Sequence, residues 1–335
     1  MTRTRQVVIR TLPKGALAPG NFEMVETDLP APGPGQALVR TLLMSIDAAN
    51  RAWMQGATYR DAVKAGDVMH TYAIAEVVES ADPALAPGDI VATEAGWSEY
   101  AIVKAKGAVK LPALRPLSNL MSVYGIAGKT AYHGLVQVGR PKAGETVLVS
   151  AAAGSVGMYV GQIAKALGCR AVGIAGGPEK CAWVVDELGF DACVDYRDPG
   201  FFKALKAACP DGVDVYFDNV GGAVLETALF LMNLKGRVVC CGAVSQYDEG
   251  APSGPRNLPG LVVVKRLRME GFIVMDFADR DAEAEAALSG WVQDGRLKVV
   301  EDVVEGLENA PAALIGLLAG ENRGKRMVRV APDPA

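Results

Sequence analysis

Residues 147–168 read VLVSAAAGSVGMYVGQIAKALG, a run of Val and Leu that passes through very small residues into a helix-forming segment. In dinucleotide-binding proteins, small residues at such a point permit a tight turn, close approach of the backbone to pyrophosphate, and close packing of helix on strand. Ala152, Gly154 and Gly157 have the G-x-G-x-x-G spacing, with Ala in place of the first Gly. A helix beginning near Ser155 would direct its first N–H groups at the phosphates. The stretch predicts a dinucleotide site, although small residues also serve plain packing.

The surrounding residues alternate between apolar runs and amphipathic segments. Such alternation is typical of a parallel sheet that helices cover on both faces, so we predict a doubly wound α/β domain. A segment before it, SNLMSVYGIAGKTAYHGLVQV, is predicted to form a helix or a helix pair. The predicted strands are TVLVSA, RAVGIAG, DACVDYR, VDVYFDNV, RVVCCGA and MEGFIVMD, and the predicted helices are MYVGQIAKALG, EKCAWVVDELG, FFKALKAAC and AVLETALFLMN.

The two ends of the chain are richer in β patterns. Short apolar runs broken by Pro and Gly fill residues 6–105 and predict a mostly antiparallel β domain. Near the other end, MVRV is a short strand that could return to this domain. The α/β domain, residues 119–299, would then be inserted into a β domain made of residues 1–118 and 300–335.

Charge and composition exclude several classes of protein. The 335 residues carry 34 Lys and Arg against 38 Asp and Glu, a net charge of −4, which gives no reason to expect nucleic acid or an anionic membrane as a partner. The first residues, MTRTRQVVIRTL, contain no apolar region of a secretion signal, and no apolar run reaches transmembrane length. The six cysteines form no CxxC pair and are expected to be reduced thiols. A cytoplasmic protein is the resulting prediction.

The end of the second predicted strand bears on the choice of cofactor. NAD sites usually place Asp or Glu there, where the carboxylate binds the ribose 2′-OH. This chain has Ala175, Gly176 and Gly177 instead, and Lys180 follows in a position to pair with a 2′-phosphate. NADP is therefore favoured, although Glu179 could face the ribose and Lys180 could be a solvated charge.

The residues that could hold a catalytic zinc are few. Such a site needs about three Cys, His or carboxylate ligands and one open position. The chain has two histidines, His70 and His133, and no cysteine before Cys169. We therefore expect no metal in the reaction.

Several motifs together resemble a known family. They are GKTAYHGL (128–135), GETVLVSAAAGSVG (144–157), VGQIAKALGCRAVGIAGGPEK (160–180), ELGFDACVDYR (187–197), YFDNVGG (216–222), CGAVSQY (241–247), VEGLENAPAAL (304–314) and ENRGK (321–325). They are similar to those of the zinc-independent medium-chain dehydrogenases/reductases, in the group of prostaglandin reductase (leukotriene B4 12-hydroxydehydrogenase), plant alkenal double-bond reductases and bacterial curcumin reductases. The resemblance covers most of residues 40–330. It implies a Rossmann NADP-binding domain inserted into a GroES-like substrate domain.

The resemblance also implies roles for individual residues, all of them around NADP(H). The pyrophosphate would be bound by Gly154, Ser155, Val156 and Gly157, and the adenosine 2′-phosphate by Lys180 and Tyr196. The nicotinamide half would be lined by Asn219, by Cys241, Gly242, Ala243, Ser245 and Tyr247, and by Phe272, Ile273 and Val274. Asn322 of ENRGK would touch the cofactor from the closing segment.

The reaction that the resemblance implies is NADPH-dependent reduction of the carbon–carbon double bond of α,β-unsaturated ketones or aldehydes, by a homodimer. Hydride would reach the β-carbon and leave an enolate, whose oxygen needs a hydrogen-bond donor as its charge develops. Tyr247 would be this catalytic donor, since a phenol with a pKa of about 10 stays protonated at neutral pH. Alternatively, Tyr247 only fixes the cofactor.

One stretch departs from the family. Members often have S-[VL]-D-P-Y-M-R near the substrate, whereas this chain has Ser45-Ile46-Asp47-Ala48-Ala49-Asn50-Arg51. Ala49 and Asn50 replace an aromatic ring and a Met, which predicts a smaller and more polar wall. Whether Trp53, Met54 or Tyr59 refills the space does not follow from spacing.

Two other functions stay open on the sequence. An NADPH:quinone oxidoreductase would share the scaffold and deliver hydride to another electron-poor acceptor. A dinucleotide-binding protein without catalysis would keep the same cofactor motifs.

Overall fold

A computed structural model describes residues 1–247 and 254–334 of the chain. The chain divides into two compact units. The first consists of Met1–Met121, Glu301–Asn322 and Arg326–Ala335, and the second of Ser122–Val300 with Arg323–Lys325.

Both units combine helices and strands. The first unit begins with β1 (Thr2–Ile9), β2 (Phe22–Leu29), β3 (Gln36–Ser45), α1 (Ala49–Trp53), β4 (Ala73–Ser80), β5 (Ile90–Thr93), β6 (Tyr100–Lys104) and β7 (Val109–Lys110). The second unit contains α2 (Ile126–Tyr132), β8 (Thr146–Ser150), α3 (Gly157–Ala166), β9 (Arg170–Ala175), α4 (Pro178–Asp186), β10 (Ala192–Asp195), α5 (Phe201–Ala208), β11 (Val213–Asp218), α6 (Gly222–Leu231), β12 (Met232–Cys240), α7 (Leu258–Lys265), β13 (Arg268–Gly271) and α8 (Asp281–Gln293). Last come β14 (Glu301–Glu305), α9 (Ala310–Leu318) and β15 (Lys325–Arg329).

Short helical segments connect these elements. A π-helical segment, His133–Gly139, continues α2. The 3₁₀ turns are Pro19–Asn21, Ala105–Gly107, Leu117–Leu120, Val244–Gln246, Val274–Arg280 and Leu307–Asn309.

The sheet of the second unit is parallel and has the strand order β10-β9-β8-β11-β12-β13. Its central strands β8, β9 and β11 are mostly apolar and buried because both faces of the sheet are covered. Val147 and Val149 of β8 pack in one buried cluster, whereas Leu148 between them packs in another on the opposite face. The predicted doubly wound domain is thereby confirmed. The order reverses between β8 and β11, and ligands of such sheets bind outside the carboxyl ends of the strands at this point.

The main sheet of the first unit has the strand order β14-β15-β3-β4-β5-β7, and β6 also pairs with β3. Its strands from β15 to β7 pair antiparallel, as do β3 with β6 and, in a separate pair, β1 with β2. The closing strand β15 places Met327 opposite Ser45 of β3. The prediction that MVRV returns to the N-terminal β domain is therefore confirmed, and with it the mixed architecture.

Two predicted boundaries are wrong, and two elements were not predicted. The strand predicted from MEGFIVMD ends at Gly271, because Phe272 turns into the core, and a 3₁₀ turn begins at Val274. The helix predicted over AVLETALFLMN ends at Leu231, because the buried Met232 already pairs with β11. β14 and α9 were not predicted as elements.

Among the residues that the structure describes, no helix is long and apolar enough to cross a membrane.

Candidate cofactor and substrate site

The loop between β8 and α3 has the geometry that its small residues predict. Ala151 is in the left-handed region, with φ of 50°. A Cβ on Gly157 would lie 2.3 Å from the Ala151 carbonyl oxygen, so no larger residue fits at this first position of α3. Ala152 replaces the first Gly of the fingerprint and is fully buried. It fits because Gly173 of β9 faces it: a Cβ on Gly173 would lie 2.8 Å from the Ala152 Cβ.

The start of α3 offers backbone donors. The helix begins at Gly157, two residues later than the expected start near Ser155. The first helical bonds are donated by Met158 N–H to Gly154 O, 3.1 Å, and by Val160 N–H to Val156 O, 3.1 Å. The N–H groups of residues 155–157 precede these bonds, and a helix leaves such groups without an intrahelical acceptor. They can therefore bind an anion, as the prediction for Gly154 to Gly157 requires.

The closing segment lies along this loop. Gly324 donates its N–H to Ala153 O, 2.9 Å, and pairs with Gly154 as a parallel bridge. Gly324 has φ of 81°, and a Cβ there would lie 2.4 Å from Val300 O, so this position requires glycine. Asn322 is buried and belongs to the first unit. Its contact with the cofactor stays a prediction.

The end of β9 carries no carboxylate, since Ala175 is followed by Gly176 and Gly177. Asp195 of β10 instead holds the turn: its Oδ1 accepts the Gly177 N–H at 2.9 Å. Lys180 is half-buried in the first turn of α4, and Tyr196, just past β10, is 45% exposed. Both therefore lie near the carboxyl ends of β9 and β10, where the adenosine half of a dinucleotide binds.

Glu179 precedes Lys180 and was an open alternative for the ribose. Its side chain is 89% exposed and lies 3.5 Å from the Arg323 guanidinium. This contact gives Glu179 a partner within the protein.

Asn219 is held by the end of β8. Its backbone N–H donates to Ser150 Oγ at 2.9 Å, and its side-chain amide donates to Ser150 O at 2.8 Å. Asn219 thus bridges β11 and β8 at the point where the strand order reverses.

Beneath Asn219 lies a buried acceptor that the sequence analysis missed. Asp218, 3% exposed, accepts four hydrogen bonds through Oδ1. The donors are Tyr216 OH at 2.8 Å, Gly221 N–H at 2.9 Å, Val220 N–H at 3.0 Å and Ser150 Oγ–H at 3.2 Å. Burial raises the pKa of Asp218, and the hydrogen bonds from Gly221 and Val220 oppose this rise. The available signal was an Asp directly before Asn-Val-Gly-Gly, because a short carboxylate commonly accepts nearby backbone N–H groups in turns.

The segment after β12 packs on this turn. Cys241 and Gly242 donate their N–H groups to Asp218 O at 2.8 and 3.1 Å, and Ser245 Oγ donates to Val220 O at 2.7 Å. Gly242 packs closely on the turn, because a Cβ there would lie 3.3 Å from Asn219 O. Ala243 continues the segment. Burial raises the pKa of Cys241 to about 12, so its thiol is neutral at pH 7.

Tyr247 follows this segment. It caps the 3₁₀ turn Val244–Gln246, and a Cβ on Gly242 would lie 3.8 Å from its hydroxyl. Burial raises the pKa of Tyr247 above its usual value, so the hydroxyl remains a hydrogen-bond donor at neutral pH.

Phe272 is directed into the protein core. Its ring centroid lies 6.3 Å from that of Phe217 and 6.2 Å from that of Phe277, both edge-on. A Cβ on Gly134 would lie 2.5 Å from Phe272 Cζ, so the ring also fills the space above this glycine. At Phe272, Ile273 and Val274 a cofactor contact would therefore involve the backbone or the two aliphatic side chains rather than the Phe272 ring.

The stretch that departs from the family lies in the first unit. Asn50, 1% exposed, is used internally: its amide donates to His70 O at 2.7 Å, and its oxygen accepts the Asp47 N–H at 2.8 Å. Trp53 and Met54 belong to the buried core of this unit, whereas Tyr59 is 55% exposed and meets the Trp53 ring edge-on. Asn50 therefore stabilises the turn before α1 instead of presenting a free amide.

Two family models match the chain. One is described as "N-terminal domain of oxidoreductase" and matches residues 5–111; the other, "Zinc-binding dehydrogenase", matches residues 155–289. Within residues 1–247 and 254–334, no group of three or more His, Cys, Asp or Glu is arranged to hold a metal ion.

Relatives that match nearly the whole chain show to which family it belongs. The chain is 43% identical to an NADPH-dependent curcumin reductase of Escherichia coli, over 99% of this chain and 98% of the relative. It is 39% identical to the 2-alkenal reductase (NADP(+)-dependent) of Nicotiana tabacum, over 98% of each chain. The chain belongs to the curcumin reductase and alkenal reductase family of medium-chain dehydrogenases/reductases. The resemblance inferred from the motifs is thus confirmed.

A solved structure of the family shares the fold throughout. The crystal structure of CurA from Vibrio vulnificus in complex with NADPH superposes with a TM-score of 0.93 at 38% identity, covering 98% of this chain and all of that chain.

Proposed function

We propose that this protein reduces the carbon–carbon double bond of α,β-unsaturated ketones or aldehydes with NADPH. The observation that carries the proposal is the position of the neutral Tyr247 hydroxyl beside Gly242. The backbone of this segment is bound to Asp218 at the carboxyl edge of the parallel sheet. Relatives named curcumin reductase and 2-alkenal reductase, alike over nearly the whole chain, support the same acceptor class.

The fit of NADPH is supported at two points of the second unit. Gly154 and Gly157 leave a cradle that a Cβ would fill, and the N–H groups of residues 156 and 157 lie at the start of α3, where a pyrophosphate would bind. The end of β9 lacks the carboxylate that would repel a 2′-phosphate, and Lys180 and Tyr196 lie beside it. NADPH, when bound, supplies the hydride.

The residues of the chain then have to orient the acceptor and stabilise charge. Tyr247 donates a hydrogen bond to the carbonyl oxygen of the substrate as negative charge develops there, which lowers the barrier because the donor is already in place. Its raised pKa keeps the proton on the phenol in the ground state. The proton that ends on the α-carbon comes from this hydroxyl or from water.

We further propose that one domain binds the cofactor and the other binds the substrate. Residues 119–299 would form the NADP-binding domain, and residues 1–118 and 300–335 the substrate domain.

We also propose that the protein is cytoplasmic and forms a homodimer. Exposed apolar side chains on the second unit support self-association: Phe230, Leu234, Val263 and Val264 are 51–71% exposed. Light scattering after gel filtration tests the dimer.

The test of the reaction is NADPH oxidation at 340 nm by purified, chelator-treated protein, with a 2-alkenal, an aryl enone and a benzoquinone as acceptors. We expect saturable turnover of the alkenal and the enone, and much weaker turnover with NADH. Much faster turnover of the quinone would replace the proposal by quinone reduction. Tight NADPH binding without oxidation by any acceptor would instead indicate a binding protein.

A further inference from the structure

Arg197, to which the sequence motifs assign no role, lies against the backbone at the end of β9. A Cβ on Gly176 would lie 3.1 Å from Arg197 Nε and 3.2 Å from its Cζ. The same Cβ would lie 3.0 Å from Cε1 of the Tyr196 ring. The backbone of Gly176 is not in the left-handed region, so its conformation alone does not require glycine. Its missing side chain therefore serves the approach of these two neighbours.

Arg197 and Tyr196 are held in this position from two sides. The Arg197 guanidinium carbon lies 5.6 Å from the centroid of the Tyr196 ring. The backbone is fixed by Asp195, whose Oδ1 accepts the N–H groups of Arg197 and Gly177, each at 2.9 Å. The turns after β9 and β10 are thus joined through one carboxylate.

This place is where the ribose of the adenosine is expected. In doubly wound sheets the end of the second strand faces the ribose 2′ position, and a nearby Arg there accommodates a 2′-phosphate. A guanidinium presents a planar set of donors that matches phosphate oxygens. A second arginine of the same unit, Arg323, lies 3.5 Å from Glu179, and the charge of that carboxylate balances the charge of Arg323.

We propose that Arg197 is a specificity-determining residue that binds the 2′-phosphate of NADPH, with its guanidinium lying on Gly176. This inference rests on the proposed NADPH-dependent function and adds to Lys180 and Tyr196 a third ligand of the phosphate. Gly176 acts as a positioning residue, because a Cβ there would crowd Arg197 and Tyr196 at 3.0–3.2 Å and force them to shift.

The test uses the whole chain without any acceptor. Binding of adenosine 2′,5′-bisphosphate and of ADP is measured by calorimetry for the wild type, Arg197→Ala and Arg296→Ala. We expect Arg197→Ala to weaken the bisphosphate about tenfold, as the loss of one charge-assisted contact does. Binding of ADP, which has no 2′-phosphate, stays unchanged. Arg296→Ala removes an exposed arginine paired with Asp294 and leaves both affinities unchanged.

Two more variants separate charge from position. Arg197→Lys keeps the charge but loses the planar contact, so we expect part of the bisphosphate affinity to return. Gly176→Ala displaces both neighbours and is expected to weaken the bisphosphate selectively, whereas Gly290→Ala, where a Cβ meets nothing within 4 Å, has no effect.

The outcomes distinguish the inference from the function on which it rests. A wild type that prefers the bisphosphate, with an Arg197→Ala variant that keeps the full preference, overturns the role of Arg197 alone. An equal loss of affinity for both ligands also overturns the role of Arg197, because a distorted fold would then explain the loss. A wild type without any preference refutes the NADPH assignment itself.

Discussion

Replacement of Asp218 by Ala tests the buried network that supports the turn at 219–221. The substitution removes the acceptor of four hydrogen bonds. Ser150 Oγ keeps another acceptor, Phe217 O at 3.4 Å, but Tyr216 OH and the N–H groups of residues 220 and 221 lose theirs. At about 1–3 kcal/mol for each buried donor left without a partner, the gross loss is roughly 3–9 kcal/mol.

The net loss is smaller because the carboxylate itself is costly to bury, as its raised pKa indicates. We therefore expect Asp218→Ala to destabilise the second unit by about 3–5 kcal/mol. For a domain of this size, this corresponds to a fall of about 10 °C in melting temperature. Asp218→Asn keeps an acceptor oxygen at the same place and is expected to lose at most about 1 kcal/mol.

The pH dependence gives a second check with a definite sign. The folded-state pKa of Asp218 is raised, so protonation favours the folded state. The stability of the wild type relative to Asp218→Asn is therefore greatest below the unfolded pKa of about 3.9, and this advantage is lost as pH rises through the folded pKa. The other carboxyl groups are present in both proteins, so their contributions to the pH dependence of stability cancel in this difference.

The assay is thermal and denaturant unfolding of wild type, Asp218→Ala and Asp218→Asn, with NADPH affinity measured by fluorescence. The matched control is Asp294→Ala, at an exposed carboxylate that pairs with Arg296. We expect NADPH binding to weaken in Asp218→Ala, because Asn219 and the segment at 241–245 rest on this turn. If Asp218→Ala melts within about 2 °C of the wild type, the network does not carry the stability assigned to it.

Three further predictions concern the site directly. Tyr247→Phe should lower kcat about 10- to 100-fold with NADPH affinity nearly unchanged, since it removes one donor to the developing oxyanion; a loss confined to cofactor binding would leave Tyr247 as a positioning residue only. Lys180→Ala should raise the KM for NADPH far more than that for NADH, and steady-state kinetics showing equal effects on both would refute its role at the phosphate. Gly157→Ala should weaken NADPH at least about tenfold and lower the melting temperature, because its Cβ would meet Ala151 O at 2.3 Å; Gly290→Ala is the control, and wild-type NADPH binding by the Gly157 variant would contradict the loop geometry.

The features that sequence patterns predicted well are those whose cause lies within a few residues. The parallel sheet followed from continuous apolar runs, because a strand covered on both faces has no polar side. The loop at 151–157 followed from its small residues, because the reversal from strand to helix brings Gly157 onto the Ala151 backbone whatever the rest of the chain does.

The boundaries that failed depend on contacts distant in sequence. β13 ends early because Phe272 packs on Phe217 and above Gly134, both of which lie far earlier in the chain. The network around Asp218 depends only in part on such a contact: Ser150 approaches it when β8 and β11 lie side by side, whereas Tyr216, Val220 and Gly221 lie within three residues of it.

The sequence by itself determined the fold class, the family and the cofactor loop of this protein, because periodicity, small residues and the absence of an acid after β9 act locally. Only the tertiary structure decided which groups share the carboxyl edge of the sheet. Parallel pairing brings residues 150, 176 and 218 to one edge, although they are far apart along the chain. There Asp218 becomes a buried acceptor, and Arg197 comes to lie on Gly176. Burial and proximity of this kind arise from pairing across the sheet.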